Sequence, residues 1–294
     1  MNLTLYAPAK INLYLRVLGR RPDGYHDIET IFERVSLCDR IILRSLKDNR
    51  TIITSDHPDV PTDRKSLISR TAEAVKSACG ISRGAEIRIF KKIPVAAGLG
   101  GGSSDAASVM LGLVRLWRLS LKPDTLMRIA GNLGSDIPFF VSRARFALGQ
   151  GRGERIRPLS WKIRLWHIIV TKPVKVLSGD IYKMTGKGDS SDLTMKGVIN
   201  KILSPRRKPE FGDIAGMLAN DLEKAVFSKE PGVNKLSKAL EGAGVANSLV
   251  SGSGPSVFGL FKKRKEALEA RELLIRRFPR VRGRGWRIFI VSTL

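Results

Sequence analysis

The sequence predicts an α+β protein, and three observations carry that reading. Residues Ala9 to Gly19 alternate Ile11, Leu13, Leu15 and Val17 with Asn12, Tyr14 and Arg16, the period of a strand with one buried face. Asp63 to Ala78 places Leu67, Ile68, Thr71, Ala72, Val75 and Ala78 near helical spacing, with Gly80 just beyond as a stop. A further strand, Ala85 to Phe90, leads into a loop too rich in glycine for strand or helix, Pro94 to Gly102, and then into an alanine-rich helix from Ser103 to Leu116. At 294 residues, 43% hydrophobic and 27% charged, the chain is long and apolar enough for one large or two medium domains, and disorder is excluded.

The other elements follow in chain order. Pro22-Asp23-Gly24 marks a turn, after which Ile28 to Leu37 and Ile41 to Arg44 read as strands. Pro123 and Asp124 open a helix that ends near Gly134, and Ala144 to Leu148 reads as a strand before a turn at Gly149 to Gly153. The domain boundary falls just after this turn, giving residues 1–157 and 158–294. The second part has an apolar strand at Leu165 to Val170, a helix at Gly179 to Met184, and a polar, basic stretch from Gly186 to Pro209 that reads as an exposed insertion. Helices at Asp213 to Phe227 and Gly232 to Leu240, a strand at Ser256 to Phe261, a helix at Lys265 to Phe278 and a strand at Trp286 to Val291 complete a sandwich of sheet and helices.

Lys and Arg number 52 against 27 Asp and Glu, a net charge of +25 that attracts polyanions: nucleic acid, anionic lipid or a phosphorylated small molecule. Arg206-Arg207-Lys208 and the stretch from Lys262 to Arg287 concentrate much of it. The 2 cysteines and 3 histidines form no metal-binding spacing and no disulfide framework, so a reducing, cytoplasmic setting is the expectation. The first residues lack a basic leader region, and Lys10 and Asn12 interrupt the apolar run, so no export is expected. Glycines, serines and Asp105 likewise break the hydropathy of Val95 to Val114, which argues against a membrane span.

The segment Pro94-Val95-Ala96-Ala97-Gly98-Leu99-Gly100-Gly101-Gly102-Ser103-Ser104-Asp105-Ala106-Ala107 is the most informative in the chain. Consecutive glycines lack Cβ atoms and tolerate positive φ, so backbone N–H groups can converge on an anion while the following helix adds its partial positive charge. No Gly-Lys-Ser or Gly-Lys-Thr ends the loop, and the dinucleotide pattern G-x-G-x-x-G is not met in its usual setting. The bland alternative is a flexible turn before a helix.

This string resembles the second motif of the GHMP kinase superfamily, which takes in galactokinase, homoserine kinase, mevalonate kinase and phosphomevalonate kinase. Pro8-Ala9-Lys10-Ile11-Asn12-Leu13, Arg20-Arg21-Pro22-Asp23-Gly24-Tyr25-His26 and Gly134-Ser135-Asp136-Ile137-Pro138-Phe139-Phe140 resemble the branch of that superfamily whose substrate is a CDP-linked methylerythritol. Gly151-Arg152-Gly153-Glu154, Asn220-Asp221-Leu222-Glu223 and Ser251-Gly252-Ser253-Gly254-Pro255-Ser256 also fit it, so the resemblance spans most of the chain. It implies a two-domain fold: a ribosomal-protein-S5-domain-2-like N-terminal domain carrying the ATP loop, and a ferredoxin-like C-terminal α/β sandwich.

The resemblance also implies an activity, ATP-dependent phosphorylation of the 2-hydroxyl of the CDP-linked methylerythritol in the non-mevalonate route to isoprenoid precursors. Asp136 then takes the hydroxyl proton, or positions the hydroxyl, and Lys10 offsets the charge that gathers on the transferred phosphoryl group. The loop from Pro94 to Ser104 binds ATP, and Asn12, Tyr25, His26 and Tyr182 contact the substrate, with Tyr25 and His26 gripping cytosine and Tyr182 closing the other side. Mg²⁺ bridges phosphate oxygens, with Ser104 as the best hydroxyl for it. Outside the resemblance each residue has an ordinary reading: a surface lysine for Lys10, a turn residue for Asp136, packing for Tyr25 and His26. The expected partners are ATP and a small CDP-linked molecule, with no membrane, no nucleic acid, and a monomer or homodimer. The rivals are another small-alcohol kinase of the superfamily and a basic nucleic-acid-binding protein, whose binding would be steeply salt-dependent.

Overall fold

The computed structural model describes residues 2–185, 202–204, 208–278 and 285–294. The chain divides into two compact units, each assembled from separated stretches: Met1–Ala9, Leu37–Val95 and Gly100–Ala144 in the first, Lys10–Ser36, Ala96–Leu99 and Arg145–Leu294 in the second. Strands β1 (Asn2–Arg20) and β2 (His26–Leu46) each give one part of their length to each unit.

In the first unit, β2 pairs antiparallel with β4 (Gly84–Phe90) from Arg40↔Phe90 to Leu46↔Gly84, and β3 (Thr51–Ser55) lies parallel to β4. Helices α1 (Leu67–Cys79), α2 (Gly101–Leu116), α3 (Pro123–Leu133) and α4 (Ile137–Ser142) pack with this layer. The Ser66 hydroxyl accepts the Ser69 amide at 3.1 Å to cap α1, and Gly80 closes it at φ 60°. Ala106, Ala107, Val109, Met110 and Leu113 are all buried, so α2 is apolar on most of its circumference. It also lies unusually close to the strands. A Cβ on Gly112 would collide with the δ-methyl groups of Leu43 and Leu5.

In the second unit, β2 pairs antiparallel with β5 (Phe146–Gly151), which pairs in turn with β6 (Arg155–Leu159), and β1 lies parallel to the short β8 (Ala219–Asn220). A separate antiparallel sheet runs in the order β11 (Arg287–Ser292), β7 (Trp166–Thr171), β10 (Val257–Phe261), β9 (Ser248–Val250). Helices α5 (Ser178–Met184), α6 (Phe211–Gly216), α7 (Glu223–Lys229), α8 (Pro231–Gly242) and α9 (Arg264–Arg277) are among those that accompany them. Their apolar faces meet in one core of Leu15, Val17, Ile168, Val170, Val226, Leu236, Val257 and Leu274 among others.

Several elements differ from the sequence reading. The two strands expected at Ile28 to Leu37 and Ile41 to Arg44 are one continuous β2, while β3, α4, β6 and β9 are additional. Both faces of β1 are buried from Ala9 to Val17, so the polar set Lys10, Asn12 and Arg16 lies inside. The single helix expected over Asp213 to Phe227 is α6, β8 and α7, because Ala219 and Asn220 pair with Tyr14 and Leu15 and the Asn220 side-chain Oδ1 accepts the Leu222 amide at 3.0 Å. Gly149 and Gly151 remain in β5 and the turn narrows to 152–154, since a Cβ on Gly149 would press on the Phe32 ring at 2.6 Å. Of the basic insertion, 186–201 and 205–207 lie outside the described residues, as do 279–284. No described helix is long and apolar enough to cross a membrane.

Candidate active site

In the first unit the glycine loop becomes a helix at Gly100, which occupies the N-cap position of α2 at φ 68° with no side-chain cap. The first-turn amides of α2 therefore need an outside acceptor, the situation in which helix ends bind anions. A Cβ on Gly102 would meet nothing within 4 Å, so the backbone there faces open space. Ser104 is fully buried, and its hydroxyl has no hydrogen-bond partner among the described residues. Such an orphan at a loop end suits a phosphate oxygen or the metal that accompanies one.

Directly behind this turn lies a dry ionic cluster. Lys91 Nζ pairs with Asp39 and, at 2.7 Å, with Asp105, and the side chains of Lys91, Asp39 and Asp105 are 3%, 0% and 3% exposed. Asp39 Oδ1 accepts the Lys92 and Ile93 amides at 2.6 and 2.8 Å, which fixes the approach to Pro94. Burial, reinforced by the negative charge of Asp39 and opposed by Lys91, pushes the Asp105 carboxyl up to about 7. Burial pulls the Lys91 ammonium down, but the charges of Asp105 and Asp39 outweigh it and hold Lys91 above its ordinary value. Asp136, half-buried, stands at the N-cap position of α4, where Pro138 in the first turn sets the helix direction.

In the second unit the order of donors along β1 is explicit. Lys10 Nζ donates to Asn12 Oδ1 at 2.5 Å, Asn12 Nδ2 donates to the Thr30 hydroxyl at 2.8 Å, and that hydroxyl donates to the Tyr14 carbonyl at 2.6 Å. This relay fixes which way the Asn12 amide points, and with it the Lys10 ammonium. The Lys10 amide donates to Leu99 O at 2.9 Å, so the strand and the Ala96–Leu99 part of the glycine loop are joined. That part is crowded: a Cβ on Gly98 would run into the carbonyl oxygens of Ser251 and Gly254, and the Ser251 hydroxyl donates to Gly98 O at 3.1 Å. A Cβ on Gly252 would come within 3.1 Å of Asn12 Oδ1 and 3.3 Å of Lys10 Nζ.

The second glycine loop is itself braced. Asn220 Nδ2 donates to Val250 O and Gly252 O at 2.8 Å each, Asp221 accepts the Val17 amide and Glu223 the Val250 amide. Burial raises both the Asp221 and the Glu223 carboxyl groups, against the pull of those amides. The aromatic residues gather in the same unit. His26 stacks on Tyr182 with ring centroids 5.3 Å apart, while Tyr25, 53% exposed, carries the Arg152 guanidinium 4.8 Å from its centroid.

The structure thus joins Lys10, Asn12 and Leu99, and separately His26 with Tyr182. The sequence reading left Thr30, Arg152 and the Asp39, Lys91 and Asp105 cluster without roles. Asp105 and Arg152 stood inside quoted motifs; Thr30 and Asp39 carry no local signal, because a strand position says nothing about its partner across the sheet.

Comparison with known proteins follows the same division. The model of the GHMP kinases N terminal domain matches residues 66–143, and that of the GHMP kinases C terminal matches residues 199–280. A 4-diphosphocytidyl-2-C-methyl-D-erythritol kinase of Pelobacter propionicus is 38% identical over 293 residues, 100% of this chain and 99% of its own length. One from a Synechococcus species is 39% identical over 95% of this chain and 91% of its own. The crystal structure of a 4-(cytidine 5'-diphospho)-2C-methyl-D-erythritol kinase superposes with a TM-score of 0.78 at 31% identity, covering 99% of this chain and 98% of that one. A homoserine kinase from Cytophaga hutchinsonii shares the fold, with a TM-score of 0.75 at 20% identity over 99% of this chain and 95% of its own.

Proposed function

The chain belongs to the GHMP kinase family, and on that premise we propose that it transfers the γ-phosphoryl group of ATP to the 2-hydroxyl of 4-diphosphocytidyl-2-C-methyl-D-erythritol, a step toward isoprenoid precursors. It is an ATP-dependent small-molecule kinase with an alcohol acceptor. The observation that carries the reading is the buried Lys10, aimed by the Asn12 and Thr30 relay and joined through its own amide to the glycine loop.

In this reading the amides from Gly100 to Ser104 bind the nucleotide phosphates at the uncapped start of α2. Asp136 accepts the proton of the attacking hydroxyl, or holds that hydroxyl in line, since a loose phosphoryl-transfer transition state needs little early proton removal. Lys10 offsets charge on the transferring group. Mg²⁺ arriving with the nucleotide would neutralise phosphate oxygens, and Ser104, whose buried hydroxyl has no hydrogen-bond partner among the described residues, is the hydroxyl that would serve it. Asn12 has a lone pair and an N–H left beyond its internal bonds and contacts the substrate with them. Tyr25 offers a ring face to cytosine, His26 an edge, and Tyr182 backs His26.

The test is ADP release by the purified protein with Mg²⁺-ATP and, separately, the cytidyl substrate, mevalonate or homoserine. Turnover with the cytidyl substrate alone supports the reading. Turnover only with another alcohol removes the cytosine assignment, and none with any of them overturns the function.

A further inference from the structure

The cluster behind the glycine loop has more negative charge than it needs. Asp39 is fully engaged: one oxygen takes the Lys92 and Ile93 amides and the other pairs with Lys91. That pairing already balances the ammonium. Asp105 adds a second carboxylate in the same dry volume, and its Oδ1 has no hydrogen-bond partner among the described residues. Buried carboxylate oxygens are ordinarily satisfied, and an unbalanced buried charge is costly, so neither packing nor stability accounts for Asp105. An asparagine would keep the bond from Lys91 and shed the charge.

The position of the surplus is specific. Asp105 lies just past the first turn of α2, four residues beyond Gly101, about 6 Å along the axis at the helical rise. Gly101 itself would bring a Cβ to within 3.3 Å of Lys91 Nζ, so loop backbone and cluster are in contact. The uncapped amides and the helix dipole draw a polyphosphate to the loop, and a carboxylate one turn behind opposes that attraction through protein of low dielectric.

Resting on the reading that Gly100 to Ser104 hold the nucleotide phosphates, we propose that Asp105 is a tuning residue that weakens the loop's grip on polyphosphate and so speeds departure of the product nucleotide. Release of product limits many enzymes, and a loop built only of attractive groups would retain ADP. Lys91 and Asp39 are the frame that holds the opposing charge in place.

The experiment is calorimetric binding of Mg²⁺-ADP to the intact protein at pH 8, with thermal melts to confirm folding. Asp105→Asn is expected to tighten ADP binding on the order of tenfold, to lower KM for ATP, and to leave kcat unchanged or reduced. A purely structural role would weaken binding or leave it alone, and either result in a folded Asp105→Asn protein overturns the proposal. Asp105→Ala, which removes the carboxylate and leaves the pair of Lys91 with Asp39 in place, carries the same expectation if Asp105→Asn fails to fold. Gly102→Asp separates the underlying reading: its Cβ would meet nothing within 4 Å, and its charge should abolish ADP binding. Unchanged ADP binding in Gly102→Asp overturns the loop assignment and the proposal with it, whatever Asp105→Asn does.

Discussion

The start of α2 and the turn carrying Tyr25 and His26 solve different problems with different materials. The first is dry, ordered by ion pairs among side chains no more than 3% exposed. The second is open to solvent, with Tyr25 53% exposed and the rings held by stacking and by the Arg152 guanidinium. A group that must meet developing charge gains from low dielectric and fixed geometry, whereas one that must admit and release a flat base gains from an accessible face. Damage to charged groups that act in the transition state should therefore appear in kcat, and damage to the rings in KM for the cytidyl substrate.

The largest expected effect lies on the charged side. Asp136→Ala and Lys10→Ala should each lower kcat about a thousandfold with little change in KM for ATP. Steady-state kinetics with both substrates varied will show whether nucleotide binding collapses as well, which would move either residue out of a catalytic role. Next comes the ionic cluster. The Asp105 carboxyl titrates at about 7 when folded against an ordinary 3.8, so between those values the folded chain holds the extra proton and stability falls as pH rises through the window. Urea unfolding at pH 5 and pH 8 should show this loss in the natural chain, up to on the order of 2–3 kcal/mol, and much less of it in Asp105→Asn.

The ring side should respond more gently. Tyr25→Ala is expected to raise KM for the cytidyl substrate on the order of tenfold with kcat retained, the range of one lost base stack. Arg152→Ala should be the smallest, about twofold to fivefold on the same KM, with Arg152→Lys between it and the natural protein. If the two ring variants changed kcat more than KM, the contrast between the regions would fail.

Much of the charged region was legible in the sequence because its demands are local. Three adjacent glycines before an alanine-rich run announce a backbone that must turn sharply and then coil, and the helix begins at Gly101, two residues before the expected Ser103. The alternation of Ile11, Leu13 and Leu15 announced β1, yet it also implied that Lys10 and Asn12 would face out. They are buried because Thr30, on a different strand, completes their hydrogen bonds. The same limit hid Asp39, whose partners stand more than fifty positions away. It also hid β8, a strand of two residues that exists only because Tyr14 and Leu15 accept it as a neighbour. Periodicity reports a residue's own element; burial of a polar residue depends on what another element brings to it.

The bracing of the second glycine loop has a kinetic consequence. The amides of Val17 and Val250 donate to the side chains of Asp221 and Glu223. Two protons more than two hundred positions apart thus depend on one four-residue segment staying docked. In deuterated water they should exchange together, at the rate at which that segment lifts away, and record its opening long before the core unfolds.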